Sequence, residues 1–170
     1  LCDASVSSLG GEEFNLLPDF PTGGLMDATD YNGGLRGGRV RVRAKIEEGA
    51  KKNILVITEI PFGTTTGGLM ESIVAANEKG KIKIARVDDN TAEKAEIVVQ
   101  LPAGTDPDLT VQALYAFTDC EVSLSPDAVV IENDKPKFYS VNELLRASAE
   151  NTKAALREAL ADALAELEIK

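Results

Sequence analysis

Apolar and charged side chains alternate strictly in the stretch that follows residue 38. In a strand, successive side chains point to opposite sides of the sheet, so this alternation predicts a strand with one apolar and one cationic face. The apolar positions are Val40, Val42, Ala44 and Ile46, and the cationic positions are Arg39, Arg41, Arg43 and Lys45. A second apolar run at residues 54–60 follows a polar loop at residues 47–52. Together they predict a basic β-hairpin within residues 25–60.

Beyond the hairpin the apolar residues recur at helical spacing, and Gly80 ends the helix that this spacing predicts. The apolar positions of this helix are Leu69, Met70, Ile73 and Val74. Alternation then predicts strands at residues 81–87 and 95–101, with a turn at residues 88–91 between them.

A second helix is predicted after Asp106, because Asp is a good N-cap and Pro107 suits the first helical position. Its expected apolar face consists of Leu109, Ala113, Leu114 and Phe117. A strand at residues 121–125 follows. From Ile54 to Leu124 the order is thus strand, helix, strand, strand, helix, strand, which is typical of the split βαβ pattern of ferredoxin-like α+β domains.

The N-terminal residues predict a different kind of segment. Residues 1–9 read as the end of a helix that Gly10 and the following glycine stop. Residues 14–24 form a loop rich in Pro and Gly, and residues 25–31 predict a short strand. The first residue is not Met, so we expect an excised piece of a longer protein.

Near the C-terminus, two short strands at residues 129–131 and 137–139 flank a turn at Asn133 and Asp134. Ser140 and Glu143 then form a capping-box signature, which predicts a helix that runs to about residue 168. Its narrow apolar stripe consists of Leu145, Leu156, Leu160, Leu164 and Leu167. This stripe could pack back on the domain or self-associate with a second copy, and we predict that it packs back. The many alanines around it suggest a trimmed or redesigned helix end.

Composition narrows the classes of function. The 170 residues fit one domain, or one domain with an appendage, and no apolar run is long enough to span a membrane. The formal net charge of −10 argues against a general nucleic-acid binder, so only a focused patch would bind DNA. Two cysteines and no histidine predict a reducing compartment, hence the cytoplasm, and no structural metal.

The chain lacks the residue combinations of common active sites. Without His, a Ser-His or Cys-His pair is impossible, and the glycine pairs match neither phosphate-binding fingerprint. Asp88, Asp89 and Glu93 are conceivable cation ligands, but a solvated turn is the better interpretation. Cys120 is expected to be buried. The three tyrosines, Tyr31, Tyr115 and Tyr139, are expected to pack rather than catalyse. By its own residues this chain is not predicted to be an enzyme.

The cationic face leaves two interpretations open. One is the solvated outer face of an antiparallel sheet. The other is a ribbon that follows phosphates, because cations that repeat every two residues, at about 6.6–6.8 Å, match successive positions along a nucleic-acid backbone.

Several segments together resemble the A subunits of bacterial type IIA topoisomerases, the family of DNA gyrase and topoisomerase IV. They are Pro-Asp-Phe-Pro-Thr-Gly-Gly at residues 18–24, the basic stretch at residues 37–45 and Ile-Thr-Glu-Ile-Pro at residues 57–61. The stretches at residues 88–93 and 113–120 are most similar to topoisomerase IV A subunits of the Bacteroides type. The resemblance extends to about residue 150.

The resemblance implies that residues 1–140 form the tower domain of the DNA breakage–reunion core. Within it lie an N-terminal segment (1–24), the basic hairpin (25–60) and the split βαβ unit (54–125). Residues 141–170 would be the C-terminal helix that begins a truncated coiled-coil arm. The implied contacts to the DNA backbone, without sequence readout, are made by Arg36, Arg39, Arg41, Arg43 and Lys45.

The implied partners are duplex DNA, the B subunit, and a second copy of the parent A subunit, with no membrane. Magnesium and ATP would belong to the B subunit, so no cofactor or metal is expected in this chain, and the domain with the catalytic tyrosine is expected upstream of Leu1. The chain departs from the gyrase pattern at Arg36, where Arg-Gly-Gly stands in place of Gly-Arg-Gly. The alternative is an excised or redesigned acidic α+β domain that has a structural role and does not bind DNA by itself.

Overall fold

The computed structural model describes residues 2–12, 14–51, 53–92, 95–132 and 134–168. Its helices and strands confirm the predicted α+β class. In chain order they are α1 (Cys2–Gly10), β1 (Leu25–Asp27), β2 (Val40–Arg43), β3 (Lys45–Glu48), β4 (Ile54–Glu59), α2 (Thr66–Glu78), β5 (Arg86–Asp89), β6 (Ile97–Gln100), α3 (Pro107–Phe117), β7 (Glu121–Leu124), β8 (Val129–Glu132), β9 (Lys135–Phe138) and α4 (Val141–Glu168).

The chain divides into two compact units. The first is drawn from Leu1–Pro18, Tyr31–Gly38 and Ser125–Lys170, and the second from Asp19–Asp30 and Arg39–Leu124. None of the helices that the structure describes is both long and apolar enough to span a membrane.

The second unit contains two antiparallel sheets. The larger has the order β3-β4-β6-β5, so β6 lies between β4 and β5, the strands that α2 connects. The first half of the predicted split βαβ arrangement is thus present in this sheet, whereas its last strand is not. The smaller sheet has the order β1-β2-β7. The last strand of the pattern, β7, therefore pairs with β2, and β3 takes the edge position beside β4.

The core of the second unit lies between the larger sheet and its helices. Fully or nearly fully buried apolar residues come from β4 and β6, from α2 and α3, and from the segment before β5. They include Leu55, Ile57, Leu69, Ile73, Ile82, Ile84, Ile97, Val99 and Leu114. Cys120 is also fully buried, as predicted.

Side-chain caps begin both helices of this unit, and the one at Asp106 was predicted. Thr65 caps α2, and its Oγ1 accepts a hydrogen bond from the Gly68 N–H at 3.1 Å. Asp106 caps α3 with Pro107 in the first turn, as predicted, and its carboxylate accepts from the Asp108 N–H at 3.0 Å. Such caps satisfy N–H groups that have no partner within the helix.

Three local predictions in this unit are wrong. The strand expected at residues 81–87 corresponds to β5, which begins only at Arg86. Residues 81–85 are irregular, although Ile82 and Ile84 are buried. The expected turn at residues 88–91 begins inside that strand, and Glu93 beyond it lies outside the described residues. On α3, Leu114 of the expected apolar face is buried and Ala113 packs against the core, whereas Leu109 and Phe117 are exposed.

In the first unit, α1 packs against α4. The capping box at the start of α4 is confirmed: Ser140 Oγ accepts from the Glu143 N–H at 3.2 Å, and the Glu143 carboxylate accepts from the Ser140 N–H at 2.9 Å. β8 and β9 form the predicted C-terminal hairpin, with Asp134 in its turn at φ 60°. Asn133 lies outside the described residues.

The far part of α4 differs from the prediction. Leu156, Leu160, Leu164 and Leu167 are 61–68% exposed, so the expectation that this stripe packs back on the domain is wrong. Leu145 and Ala149, in the part of α4 near its start, are partly buried. The stripe is therefore covered only in the first turns of the helix.

Candidate nucleic-acid interface

The basic segment does not form one continuous strand. It is split at Ala44, where β2 ends in the smaller sheet and β3 begins in the larger one. The Ala44 N–H donates to the carbonyl oxygen of Cys120 at 2.7 Å, and a register irregularity follows between Lys45 and Ile46. The prediction of a single basic strand from Arg39 to Lys45 is therefore corrected to two short strands in two sheets.

Within β2 the predicted alternation is confirmed. Val40 and Val42 are buried, whereas Arg41 is exposed and Arg43 is half-buried. Because β2 is the central strand, each arginine has a neighbour on both sides on the same face of the sheet. Arg41 pairs with Asp27 of β1 and with Ser123 of β7.

Arg41 forms an ion pair across the sheet. Its Nη2 donates to Asp27 Oδ2 at 2.8 Å, and the two side chains are 45% and 37% exposed. The other carboxylate oxygen of Asp27 accepts from the Thr29 backbone N–H at 3.0 Å and from the Thr29 hydroxyl at 2.6 Å. These bonds from Thr29, together with Arg41, hold the pKa of Asp27 below its usual value.

Arg43 is held more firmly. Its Nε donates to the Glu121 carboxylate, and its guanidinium lies 5.2 Å from the centre of the Tyr115 ring. The hydrogen bond to Glu121 raises the pKa of Arg43. A guanidinium between a carboxylate and an aromatic face joins β2, β7 and α3 and has little freedom to turn towards a ligand.

Lys45 lies on β3 and belongs to the larger sheet. It forms an ion pair with Glu47 at 3.1 Å, and Glu59 lies opposite it on β4. The hydrogen bond to Glu47 raises the pKa of Lys45. Acidic neighbours thus surround this cation, and it does not continue the arginine row of β2.

The other two candidate cations lie outside regular strands. Arg39 directly precedes β2 and is exposed, and its backbone N–H donates to the Asp30 carbonyl at 3.0 Å. Arg36 is exposed in a turn of the first unit. Within the described ranges, neither side chain forms an ion pair. Of the five predicted site residues, the structure brings Arg39, Arg41 and Arg43 together along β2.

A comparison with protein families decides what kind of chain carries this arrangement. The model of the family described as the A subunit of DNA gyrase/topoisomerase IV matches residues 1–170. The chain belongs to this family.

The curated relatives of this A-subunit chain are longer proteins. The DNA topoisomerase 4 A subunit of Borreliella burgdorferi is 38% identical over 157 residues, which is 92% of this chain and 25% of that protein. The DNA gyrase A subunit of Lawsonia intracellularis is 35% identical, over 85% of this chain and 20% of that protein. The corresponding gyrase protein of Kosmotoga olearia is 33% identical, over 85% and 19%. The chain thus spans about a quarter or less of the length of these relatives. The likeness to the Bacteroides type stays a prediction.

Sequence reasoning about this A-subunit chain missed the residues that hold the arginines. Asp27 lies 14 positions from Arg41, and Glu121 lies 78 positions from Arg43. No local pattern predicts such pairs, because they depend on which strands become neighbours. The spacing of Asp27 and Thr29 is a signal for a local side-chain-to-backbone turn, so the fixed carboxylate itself was predictable.

Proposed function

We propose that this chain is the tower part of the A subunit in a type II topoisomerase and that it contacts the backbone of duplex DNA without reading its sequence. The observation that carries the proposal is the two-residue spacing of Arg41 and Arg43 on one face of β2, which Arg39 extends directly before the strand. Guanidinium groups bind phosphate oxygens bidentately, and contacts to phosphate carry no direct information about the bases.

The five predicted residues contribute unequally in this proposal. Arg36 and Arg39 offer guanidinium groups that form no ion pair with the described residues, and Arg41 is exposed in a pair that solvent weakens. Arg43 and Lys45 are already held by carboxylates and contribute mainly by shaping the surface. We therefore expect about three phosphate contacts rather than five.

The larger roles follow from the family and are part of the same proposal. The parent protein would act in the cytoplasm beside a second copy of itself and a B subunit, and together they would change DNA topology by passing one duplex through another. The nucleophile would come from another part of the parent protein, and Mg²⁺ and ATP from the B subunit. Residues 1–140 would be the tower, and residues 141–170 the start of the coiled-coil arm.

The proposal is tested by the salt dependence of duplex binding, measured by fluorescence anisotropy of a labelled duplex. Three contacts predict a slope of log affinity against log salt of about −2.7, and five predict about −4.5. Replacing Arg39 and Arg41 by Gln is expected to make the slope shallower by about 1.8. Gln is preferred to Glu here, because a new carboxylate beside Asp27 would disturb the sheet.

The matched control replaces Lys79 and Lys83 by Gln, since both are exposed cations of the second unit away from β2. It removes the same charge and is expected to leave the slope unchanged. Equal losses in both variants would mean that any positive charge serves, and no duplex binding at low salt would refute the proposal.

A second candidate function is favoured by the charge of the chain. With a formal net charge of −10, the mean field repels DNA, and three of the five candidate cations are paired internally. In this alternative the chain is a rigid support that binds no DNA by itself. A flat anisotropy signal with the chain fully folded would favour it.

A further inference from the structure

We propose that Asp27 competes with DNA phosphate for Arg41 and thereby limits how tightly this surface binds a duplex. The inference rests on the proposed function, and it adds an acidic residue to a site that was described only by its cations. Three features of the structure support it: the fixed position of the Asp27 carboxylate, the exposure of its pair with Arg41, and the small charge of the whole face.

The Asp27 carboxylate keeps its place without Arg41. Oδ1 accepts two hydrogen bonds from Thr29, and Oδ2 accepts the bond from Arg41. If Arg41 turned towards a phosphate, the bonds from Thr29 would still hold the carboxylate beside β2. The negative charge therefore remains at the surface in both states, where it attracts Arg41 in the free chain and repels phosphate in the complex.

The pair between Asp27 and Arg41 is one that a phosphate can displace. Both side chains are more than a third exposed, and such surface pairs change equilibria by no more than roughly fivefold. A guanidinium has five N–H donors, and a phosphate accepts two of them in parallel, so exchanging the carboxylate for a phosphate keeps the bonds of Arg41 satisfied.

The neighbouring pair provides an internal contrast. Arg43 also bonds a carboxylate, that of Glu121, but its guanidinium lies against the Tyr115 ring and the Glu121 side chain is only 23% exposed. Release of Arg43 would lose both of these side-chain contacts, which link β2 to β7 and to α3. Asp27, unlike Glu121, is thus placed to exchange with a ligand.

The net charge of the arginine face at β2 is small, so the single charge of Asp27 changes it strongly. The row at β2 has three arginines, and its cross-strand neighbours Asp27 and Glu121 cancel two of them. Removal of the Asp27 charge therefore doubles the net charge of this surface. Since the surrounding chain is acidic, a single phosphate gains little here, whereas a duplex presents several phosphates at once and displaces Asp27 through their combined attraction.

The test measures duplex affinity of the 170-residue chain for Asp27→Asn, alone and combined with Arg41→Gln. Asn keeps an oxygen for the Thr29 bonds but loses the charge. We expect Asp27→Asn to tighten binding by roughly threefold to fivefold at low salt and to steepen the salt slope by up to about 0.9. In the Arg41→Gln background the gain is expected to be clearly smaller, because only the repulsion between Asp27 and phosphate is then relieved and no competition for Arg41 remains.

The matched control is Asp30→Asn, which removes the same charge three residues further along the chain. The Asp30 side chain is exposed and forms no ion pair in the described part of the chain. Any effect of that change should be smaller and should not depend on Arg41. Thermal unfolding of each variant verifies that it is folded.

Two results would overturn the inference while leaving the proposed function intact. One is weaker binding by Asp27→Asn, which would mean that Asp27 orients Arg41 for phosphate instead of competing with it. The other is an equal gain with and without Arg41. If no variant binds duplex at low salt, the proposed function itself fails and the inference fails with it, so the two failures are distinguishable.

Discussion

The Tyr115 hydroxyl donates to the carbonyl oxygen of Ala44 at 2.9 Å, at the residue where the basic segment passes from one sheet to the other. The Ala44 N–H is bonded to Cys120, so both backbone groups of this buried residue are satisfied. This contact ties α3 to the junction between β2 and β3. It fixes the point at which the arginine row ends.

Replacement of Tyr115 by Phe is expected to destabilise the chain by about 1 kcal/mol. The change removes the hydrogen bond and leaves the Ala44 carbonyl oxygen without it. Chemical denaturation measures the loss. The matched control is Tyr139→Phe, because the Tyr139 hydroxyl donates to the exposed Glu132 side chain at 3.1 Å. We expect this variant to lose less than about 0.5 kcal/mol of stability. Similar losses for both variants would contradict the role given to Tyr115.

Gly24 is expected to tolerate no side chain. It adopts φ 94° immediately before β1, and a Cβ there would lie 2.6 Å from the carbonyl oxygen of Arg43. The left-handed backbone conformation of an Ala at position 24 would therefore destabilise the fold by about 1–2 kcal/mol, and its Cβ would also force β1 away from β2. Gly104→Ala is the control, since φ is 83° there but nothing lies within 4 Å.

The free energy of unfolding, measured in urea, should fall by at least about 1 kcal/mol more for Gly24→Ala than for Gly104→Ala. Because the shift separates Asp27 from Arg41, duplex affinity of the folded protein should also change for Gly24→Ala alone. Equal losses of stability would show that only the backbone angle matters.

Cys120 is expected to make stability fall at alkaline pH. Burial raises the pKa of its thiol from 9.0 to about 11, so the unfolded chain loses this proton first as pH rises. The contribution is complete below about pH 9 and is lost as pH rises through 11, with a limit of about 3 kcal/mol. Urea unfolding at pH 8 and pH 10.5 measures the loss, and Cys120→Ala should reduce it. An unchanged loss in that variant would assign the effect to other groups.

Alkylation of the thiols provides an independent measurement of the same burial. Cys2 is exposed and Cys120 is buried, so one thiol per folded chain should react quickly with iodoacetamide at pH 8. Mass spectrometry after brief treatment should find a single adduct in the folded chain and two after unfolding. Two rapid adducts in the folded chain would contradict the packing of Cys120.

Adjacent residues on α2 should respond very differently to truncation. Ile73 is fully buried in the core, whereas Val74 is 45% exposed. Ile73→Ala should cost about 2–5 kcal/mol, because it leaves a cavity. Val74→Ala should stay within about 0.5 kcal/mol, since the small loss of contact is offset by the better helix propensity of Ala. Thermal denaturation of both variants checks the difference, and a large cost at Val74 would mean that this face is covered.

The sequence predicted those features that depend on residues close together in the chain. The alternation at residues 40–44, the caps at Asp106 and Ser140 and the order of the split βαβ unit are all visible locally. They follow from the two-residue period of a strand and from the N–H groups that the first turn of a helix leaves unpaired. The burial of Cys120 was also predicted correctly.

Errors arose where the same local pattern of apolar residues fits more than one tertiary arrangement. Ile82 and Ile84 are buried at two-residue spacing without being in a strand. Among the described residues, residues 81–85 have no partner strand, and only the Ala85 N–H donates a backbone hydrogen bond to the neighbouring strand, at Gln100. The leucine stripe of α4 has the spacing of a packed helix, yet only Leu145 at its beginning is partly buried. Periodicity shows which residues share a face, and it does not show whether another element covers that face.

The candidate site was decided by the tertiary structure. The cations were visible in the sequence, but their carboxylate partners come from strands 14 and 78 residues away, and the break at Ala44 depends on Cys120 and Tyr115. Such contacts form only after β1 and β7 have paired with β2. The sequence by itself determined where positive charge lies along the chain, and strand pairing decided which of those charges are paired with carboxylates.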